Sequence, residues 1–165
     1  MYLCRLKQKT MATRKLLVDY ECDFKLIGLH SLLADYRLVY FLNKELRLQL
    51  HKEHEKEALL CPIYQKYFSY YTWYNPETSV KWHCIGNKLN AEREMSGTEI
   101  FSTTHSVQYL IANLKKVDYF LKIDTEGRLN TAELVSKLNQ IPSTTAYIIT
   151  PDTLNLKHKL LFQEC

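Results

Sequence analysis

The sequence predicts a single α+β domain with a mainly antiparallel sheet, an aromatic β-hairpin, two principal helices and a C-terminal β-α-β unit. The chain has 165 residues, of which 46% are hydrophobic and 24% charged, and this size and composition suit about one globular domain. With only four glycines and four prolines, a low-complexity architecture is disfavoured. Apolar residues recur with a period near 2 in some segments and near 3.6 in others, which predicts both strands and helices.

The N-terminus has a second methionine, Met11, directly before the first strand-like segment. We expect translation to begin there, which makes residues 1–10 a doubtful or disordered leader and residues 11–165 the domain. The whole chain has 22 basic and 18 acidic residues, a net charge of +4. Without the three basic residues of the leader, 19 remain against 18, a net charge of +1. A balance so close to neutral gives little general attraction to polyanions.

The cysteines and the hydropathy predict a cytoplasmic protein. There are five cysteines, and no two form a Cys-x-x-Cys pair, as is typical of a reducing compartment. Cys61 and Cys84 are expected to pack as small hydrophobic side chains. No run of about 18 apolar residues is present, so we expect no membrane contact.

The first third of the chain predicts two strands and a long helix. Arg14–Tyr20 and Phe24–Leu29 are strand-like, and Ser31 is a candidate N-cap for a helix over Leu32–Leu46. The apolar face of this helix is wide, which predicts that it is covered on more than one side. That face consists of Leu32, Leu33, Tyr36, Leu38, Val39, Tyr40, Phe41, Leu42 and Leu46.

Residues 47–57 should form a short strand, Arg47–Leu50, and a charged loop, His51–Glu57. The aromatic segment Ala58–Gly86 follows, and a turn at Asn75–Thr78 with proline in its second position predicts a β-hairpin. The return strand alternates, which predicts one buried face and one wet face. Its expected buried residues are Val80, Trp82 and Cys84, and its expected wet residues are Lys81 and His83.

The last third has a β-α-β rhythm after a polar loop, Asn87–Thr98, and an ordered segment beginning at Ile100–Phe101. Val117–Ile123 should be a strand, and Asn130 should cap a helix over Thr131–Asn139. The remaining elements are a predicted strand, Thr144–Ile149, and a short element of undecided type, Leu154–Phe162. If Val117–Ile123 and Thr144–Ile149 share a sheet with one strand or none between them, a right-handed crossover would make them parallel neighbours.

One stretch of this region resembles a known signature. Ile111, the spacer Leu114-Lys115-Lys116 and Val117-Asp118-Tyr119 are in register with the motif of the IPExxxVDY family, which this stretch resembles and which is a bacterial family whose activity is uncharacterised. Ala112 and Asn113 replace the proline and glutamate of that motif. The resemblance also includes the region from Lys15 to Lys44, and it extends from about Met11 to Phe162. It implies no activity, cofactor or catalytic residue, and if the family's glutamate were catalytic, Asn113 would make this member inactive.

Asp118 interrupts an apolar run, and a bare charge in a core costs several kcal/mol. It should therefore face a solvated edge or pair with a basic group, as a structural ion pair or as part of a functional site. Tyr119 is expected to be a packed aromatic residue with a satisfied hydroxyl.

The sequence lacks the usual catalytic and cofactor motifs. There is no glycine-rich phosphate loop, dinucleotide-binding fingerprint or nucleophile elbow, and we predict no catalytic residue, metal or cofactor. His51 and His54 have a spacing that a metal could use on a helix, but their polar segment favours a solvated loop.

Three functions are compared. The leading hypothesis is a non-enzymatic protein-binding module that uses the aromatic hairpin, with the alternative that the same rings fill the core. The second is RNA binding, in which Tyr67, Tyr71 or Trp73 stacks on bases. The flanking lysines would be Lys66, Lys81 and Lys88. The third is an enzyme of unknown class. The candidate binding residues are Tyr67, Tyr71, Trp73, Lys81 and His83.

Overall fold

The computed structural model of the chain describes residues 24–54, 56, 59–93 and 104–165. The predicted start at Met11, the strand Arg14–Tyr20 and the segment Ile100–Phe101 lie outside the described residues. The described strands are β1 Phe24–Ser31, β2 His51–Lys52, β3 Leu60–Cys61, β4 Lys66–Tyr67, β5 Tyr70–Asn75, β6 Val80–Gly86, β7 Lys88–Arg93, β8 Thr104–Tyr109, β9 Tyr119–Asp124 and β10 Thr144–Ile149. The described helices are α1 Asp35–Leu46, α2 Thr131–Leu138 and α3 Leu156–Glu164.

Six strands form one sheet in the order β10-β1-β9-β6-β5-β2, and every neighbouring pair is antiparallel. Strands β9 and β10 both pair with β1, so they run parallel to each other with β1 between them. Helix α2 connects them, which confirms the predicted β-α-β unit and the α+β fold class. Two further ribbons, β3–β4 and β7–β8, lie outside this sheet.

The first face of the sheet is covered by α1 and α2. Side chains of the central strands, including Ile27, Leu121 and Cys84, join the helical residues Leu42 and Leu138 in one buried cluster. Full burial of a leucine or isoleucine side chain contributes about 1.5–3 kcal/mol, so this layer is a principal source of stability.

The second face is covered by α3 and by the segment that precedes β9. The ring of Phe162 from α3 lies 5.2 Å from that of Phe120 and 5.9 Å from that of Phe24, measured between centroids. Because this layer extends over β6, the predicted wet face of the return strand is wrong at His83, which is fully buried, and holds at Lys81, which is exposed.

Helix α1 begins three residues later than predicted. Ser31 is the last residue of β1, and its hydroxyl bonds the Thr144 hydroxyl at 2.8 Å and accepts from the Leu33 amide at 3.2 Å. The expected covering of the helix on more than one side is also wrong, because Tyr36 and Tyr40 are 66% and 63% exposed.

Other local predictions have mixed outcomes. The hairpin turn after Asn75 and the strand Thr144–Ile149 are confirmed, and Asn130 caps α2 by accepting from the Glu133 amide at 3.2 Å. Part of the predicted Asn87–Thr98 loop is instead β7, which pairs with β8. Residues 47–50 are not a strand; the edge strand is β2, inside the predicted charged loop. The undecided final element is α3, and Cys61 and Cys84 are buried as expected.

No helix in the described part of the chain is long and apolar enough to cross a membrane.

Tyr71 and Tyr74 lie on the same strand and differ in burial, which gives a matched test of the core. Tyr71 is 7% exposed and packs in the first-face cluster, whereas Tyr74 is exposed. We expect Tyr71→Ala to lower the free energy of unfolding by about 3–5 kcal/mol and Tyr74→Ala to change it by less than about 0.5 kcal/mol. Urea denaturation measures both, and equal losses would contradict the burial of Tyr71.

Candidate functional site

The five candidate binding residues of the hairpin region do not form one surface. Tyr71 is in the core of the first face, and His83 is buried on the second. Trp73 is half-buried against the first core, while Tyr67 and Lys81 are exposed on different strands. Tyr71 therefore follows the alternative in which the rings fill the core, because the sheet places alternate residues on opposite, covered faces.

Ile111 and Val117 of the signature-like segment are fully buried, and Asn87 holds the turn between them. The Asn87 amide oxygen accepts from the Ile111 backbone N–H at 2.8 Å, and its NH₂ group donates to the carbonyls of Leu114 and Val117, both at 2.9 Å. The Asn87 backbone N–H also donates to the Asp118 carbonyl at 2.8 Å. A buried asparagine thus satisfies the backbone where β6 ends and β9 begins.

Asp118 is buried and pairs with basic groups, as one of the two sequence alternatives predicted. Its carboxylate oxygen Oδ2 accepts from His30 Nδ1 at 2.5 Å and from the Ser31 backbone N–H at 2.9 Å, and Oδ1 pairs with Lys88. The hydrogen bond from Lys88 to Asp118 raises the pKa of the lysine. Both carboxylate oxygens are therefore occupied by groups of the chain itself.

Tyr119 behaves as the packed aromatic residue expected from the sequence. It is half-buried against the first-face core, and its hydroxyl donates to the Leu33 carbonyl at 2.9 Å. Burial raises its pKa, so it is a poor acid at neutral pH. With Asp118, it ties the start of β9 to the segment between β1 and α1.

A cleft of about 790 Å³ lies beside Asp118, between the start of α1 and the end of β2. Its wall carries charges of both signs, among them Lys52, Glu53 and Lys88. The Asp118 carboxylate is already bonded to Lys88, to His30 and to the Ser31 backbone N–H. Its geometry is therefore that of a structural ion pair.

A second polar cluster lies on the second face, across β5, β6 and β9. His83 Nε2 is 2.8 Å from Asp124 Oδ2, and Lys122 Nζ donates to the same oxygen at 3.0 Å. His83 Nδ1 is 2.7 Å from the Tyr70 hydroxyl, which also lies 3.1 Å from the Cys165 carbonyl. These groups link three neighbouring strands to the residue that follows α3.

Burial lowers the pKa of His83 and outweighs the opposite effect of its hydrogen bond to Asp124. We therefore assign a neutral ring with its proton on Nε2, donated to Asp124. Nδ1 is then an acceptor towards the Tyr70 hydroxyl, whose single proton is shared between Nδ1 and the Cys165 carbonyl. Burial raises the pKa of Tyr70 to about 12. Burial also opposes the ionisation of Asp124, but hydrogen bonds from His83 and Lys122 hold its pKa below the ordinary value.

The outer side of α1 is the third feature. Tyr36, Arg37, Tyr40 and Phe41 line a shallow depression of about 470 Å³. The rings of Tyr40 and Phe41 meet edge to face, with centroids 5.5 Å apart. Helical periodicity predicted that Tyr36 and Tyr40 lie on a covered face, although their polar hydroxyls are a signal that they tolerate water.

His30, Asn87 and Lys122 were not singled out from the sequence as functional, and Lys88 was named only in the RNA-binding hypothesis. A basic partner was one of the two alternatives that the sequence left open for Asp118, but only the fold brings His30 and Lys88 to it. Lys122 carried a signal of its own, since it interrupts the apolar run of β9.

Comparison with known protein families gives no match, and comparison with curated proteins gives none either. In the part of the chain that the structure describes, no group of three or more histidine, cysteine, aspartate or glutamate residues could hold a metal ion.

Asn87→Ala should strongly destabilise the protein. The substitution leaves one backbone N–H and two carbonyls without their side-chain partner, and each unsatisfied buried group costs about 1–3 kcal/mol. Thermal unfolding should show a large fall in Tm for this variant. Asn90→Ala, at an exposed position of β7, is the control and should melt like the parent protein.

Protonation of His83 should destabilise the fold. Its pKa is lower in the folded chain than the ordinary value of about 6.5, so below that pH the unfolded chain binds the proton first. We expect the contribution of His83 to the free energy of unfolding to be constant above about pH 6.5 and to decrease as the pH falls towards the folded pKa.

Denaturation at several pH values between about 7.5 and 5.5 tests this dependence around the ordinary histidine pKa. His83→Gln should show a smaller decrease than the parent, while His51→Gln, at an exposed position, should keep the parental decrease. Equal pH dependence in His83→Gln and the parent would contradict the assignment.

Proposed function

We propose that this protein is a non-enzymatic protein-binding module and that the outer side of α1 is its contact surface. The observation that carries this proposal is the exposure of Tyr36 and Tyr40, one helical turn apart, around a depression that Arg37 and Phe41 also line. Side chains four residues apart on a helix lie on the same face. The four side chains therefore present one continuous surface, which we call the α1 surface.

The composition of the α1 surface is that of a protein interface. Tyrosine, phenylalanine and arginine are enriched in interfaces relative to the remaining surface, and tyrosine and arginine supply many of the residues that dominate binding energy. Tyrosine also loses little conformational entropy on binding, because its side chain has only two rotatable angles.

The expected partner is a protein with an apolar side chain that fills the depression and a carboxylate that meets Arg37. Arg37 has no ion-pair partner among the described residues, so its guanidinium is available for a bidentate contact. A shallow depression of this size accepts one or two side chains, as is usual where a hot spot is surrounded by weaker contacts.

Membership of the bacterial IPExxxVDY family and a cytoplasmic location are part of this proposal. The signature-like residues support a structural role for the motif, because Ile111 and Val117 are buried and the Asp118 carboxylate is paired. A motif that stabilises the fold fits a binding module better than it fits an enzyme. The buried, free cysteines of the described residues fit a reducing compartment.

RNA binding receives less support. It requires exposed aromatic rings for stacking, and the burial of Tyr71 leaves Tyr67 as the most exposed of the three proposed rings. An enzyme of unknown class is the remaining alternative.

A photo-crosslinking amino acid at position 40, used in the cell extract, should capture a protein whose identity mass spectrometry provides. The double variant Tyr36→Ala/Tyr40→Ala should then weaken the affinity for that purified protein by at least about tenfold and leave the melting temperature unchanged. The matched control is Tyr74→Ala/Tyr147→Ala, which removes two exposed tyrosines that lie on strands β5 and β10, away from α1.

Equal affinity of the two double variants for the captured protein would show that the α1 surface is not its contact surface. Native mass spectrometry of the gently purified protein distinguishes the alternatives, because a bound nucleic acid would favour the RNA-binding hypothesis over the protein-binding one.

A further inference from the structure

One row of side chains on the second face of the sheet is polar where its neighbours are apolar. Lys122 lies opposite Leu26 in β1 and opposite His83 in β6, and His83 lies opposite Thr72 in β5. Lys122, His83 and Thr72 are all buried, with Lys122 only 3% exposed. Polar residues in a covered face are costly unless their hydrogen bonds are completed.

The hydrogen bonds of this row are incomplete within the described residues. An ammonium group has three N–H donors, and Lys122 donates one described hydrogen bond, to Asp124. Its Nζ also lies 5.6 Å from the centroid of the Phe24 ring, which attracts the charge but is not a hydrogen-bond acceptor of ordinary strength. Thr72 Oγ1 is the one buried side-chain polar atom without a hydrogen-bond partner among the described residues.

Lys122 and Asp124 line a cleft of about 1110 Å³ between the hairpin turn after β5 and the segment after β9. Hydroxyl groups from both segments line it as well, along with two exposed lysines. These residues are Thr78, Ser79, Thr125, Lys25 and Lys81.

The charge of the cleft is positive. The Asp124 carboxylate is balanced by the ammonium of Lys122 and receives a further hydrogen bond from His83. Of the other charged side chains in the wall, Lys25 and Lys81 are positive and only Glu126 is negative, so the net charge is positive. Lys81 lies directly opposite Asp124 in the sheet.

We infer that this cleft binds a small oxyanion, a phosphate or carboxylate group, through Lys122 and Lys81. The free donors of a buried ammonium form strong, charge-assisted hydrogen bonds to such a group, and the hydroxyl groups of the wall supply neutral donors. Asp124, held by His83, fixes the position of the Lys122 ammonium. This cleft is separate from the α1 surface, since α1 covers the first face of the sheet and Lys122 lies on the second.

The test is a titration of the whole chain with inorganic phosphate at constant ionic strength, followed by two-dimensional amide NMR. We expect saturable shifts that are confined to the hairpin turn and to residues 122–127, with a dissociation constant in the millimolar range that is usual for a small ion. A parallel titration with acetate shows whether the site takes a carboxylate as well as a phosphate.

Two lysine variants and one control identify the site. Lys122→Met should abolish saturation, and Lys81→Gln should weaken phosphate binding by about threefold or more, since it removes one charged contact. Lys137→Gln, on α2 at the opposite face, should bind phosphate as the parent does. Lys137 is exposed and pairs with Glu133.

Unchanged phosphate affinity in Lys81→Gln would overturn the proposal even if Lys122→Met failed to fold. The absence of saturable shifts in the parent at about 20 mM phosphate, far above a millimolar dissociation constant, would also overturn it. Equal losses of phosphate affinity in Lys81→Gln and Lys137→Gln would show that the lysines attract phosphate non-specifically through their charge and that the cleft is not a binding site.

Discussion

The burial of β9 on both of its faces is the constraint on which the rest of the structure depends. Phe120, Leu121, Lys122 and Ile123 are all buried, so consecutive residues that point to opposite sides each need cover. Helices α1 and α2 supply it on one side, and α3 with the segment before β9 supplies it on the other. A buried polar group on this strand consequently needs hydrogen-bond partners that bulk water does not supply.

The local elements could be predicted because their signals are short in sequence. Pro76 in a four-residue turn, Asn130 as an N-cap and the β-branched run at Thr144–Ile149 each specify a conformation through a few neighbouring residues. The position of α3 depends on contacts such as Phe162 with Phe120, which are distant in sequence. The burial of His83 and the pairing of the polar β7 with β8 were missed for this reason.

The candidate sites show the same division. The cost of burying Asp118 alone predicted either a solvated edge or a basic partner. The sequence did not identify that partner, because His30 lies 88 residues earlier and Lys88 lies on another strand. The opposite error occurred at α1, where Tyr36 and Tyr40 fit the helical period of a buried face. A tyrosine satisfies a hydrophobic pattern and also tolerates water, so periodicity alone does not distinguish a core from an interface.

Asp118 and Lys122 illustrate how buried charges with structural and binding roles can be separated. The two oxygens of Asp118 receive donors from two basic side chains and one backbone amide, which leaves about one of the four acceptor sites of a carboxylate for a ligand. Lys122 is at least as deeply buried, borders a cleft and uses one of its three donors on a described partner. The remaining hydrogen-bonding capacity, more than the presence of a charge, is what makes the cleft at Lys122 a binding site and leaves Asp118 a structural residue.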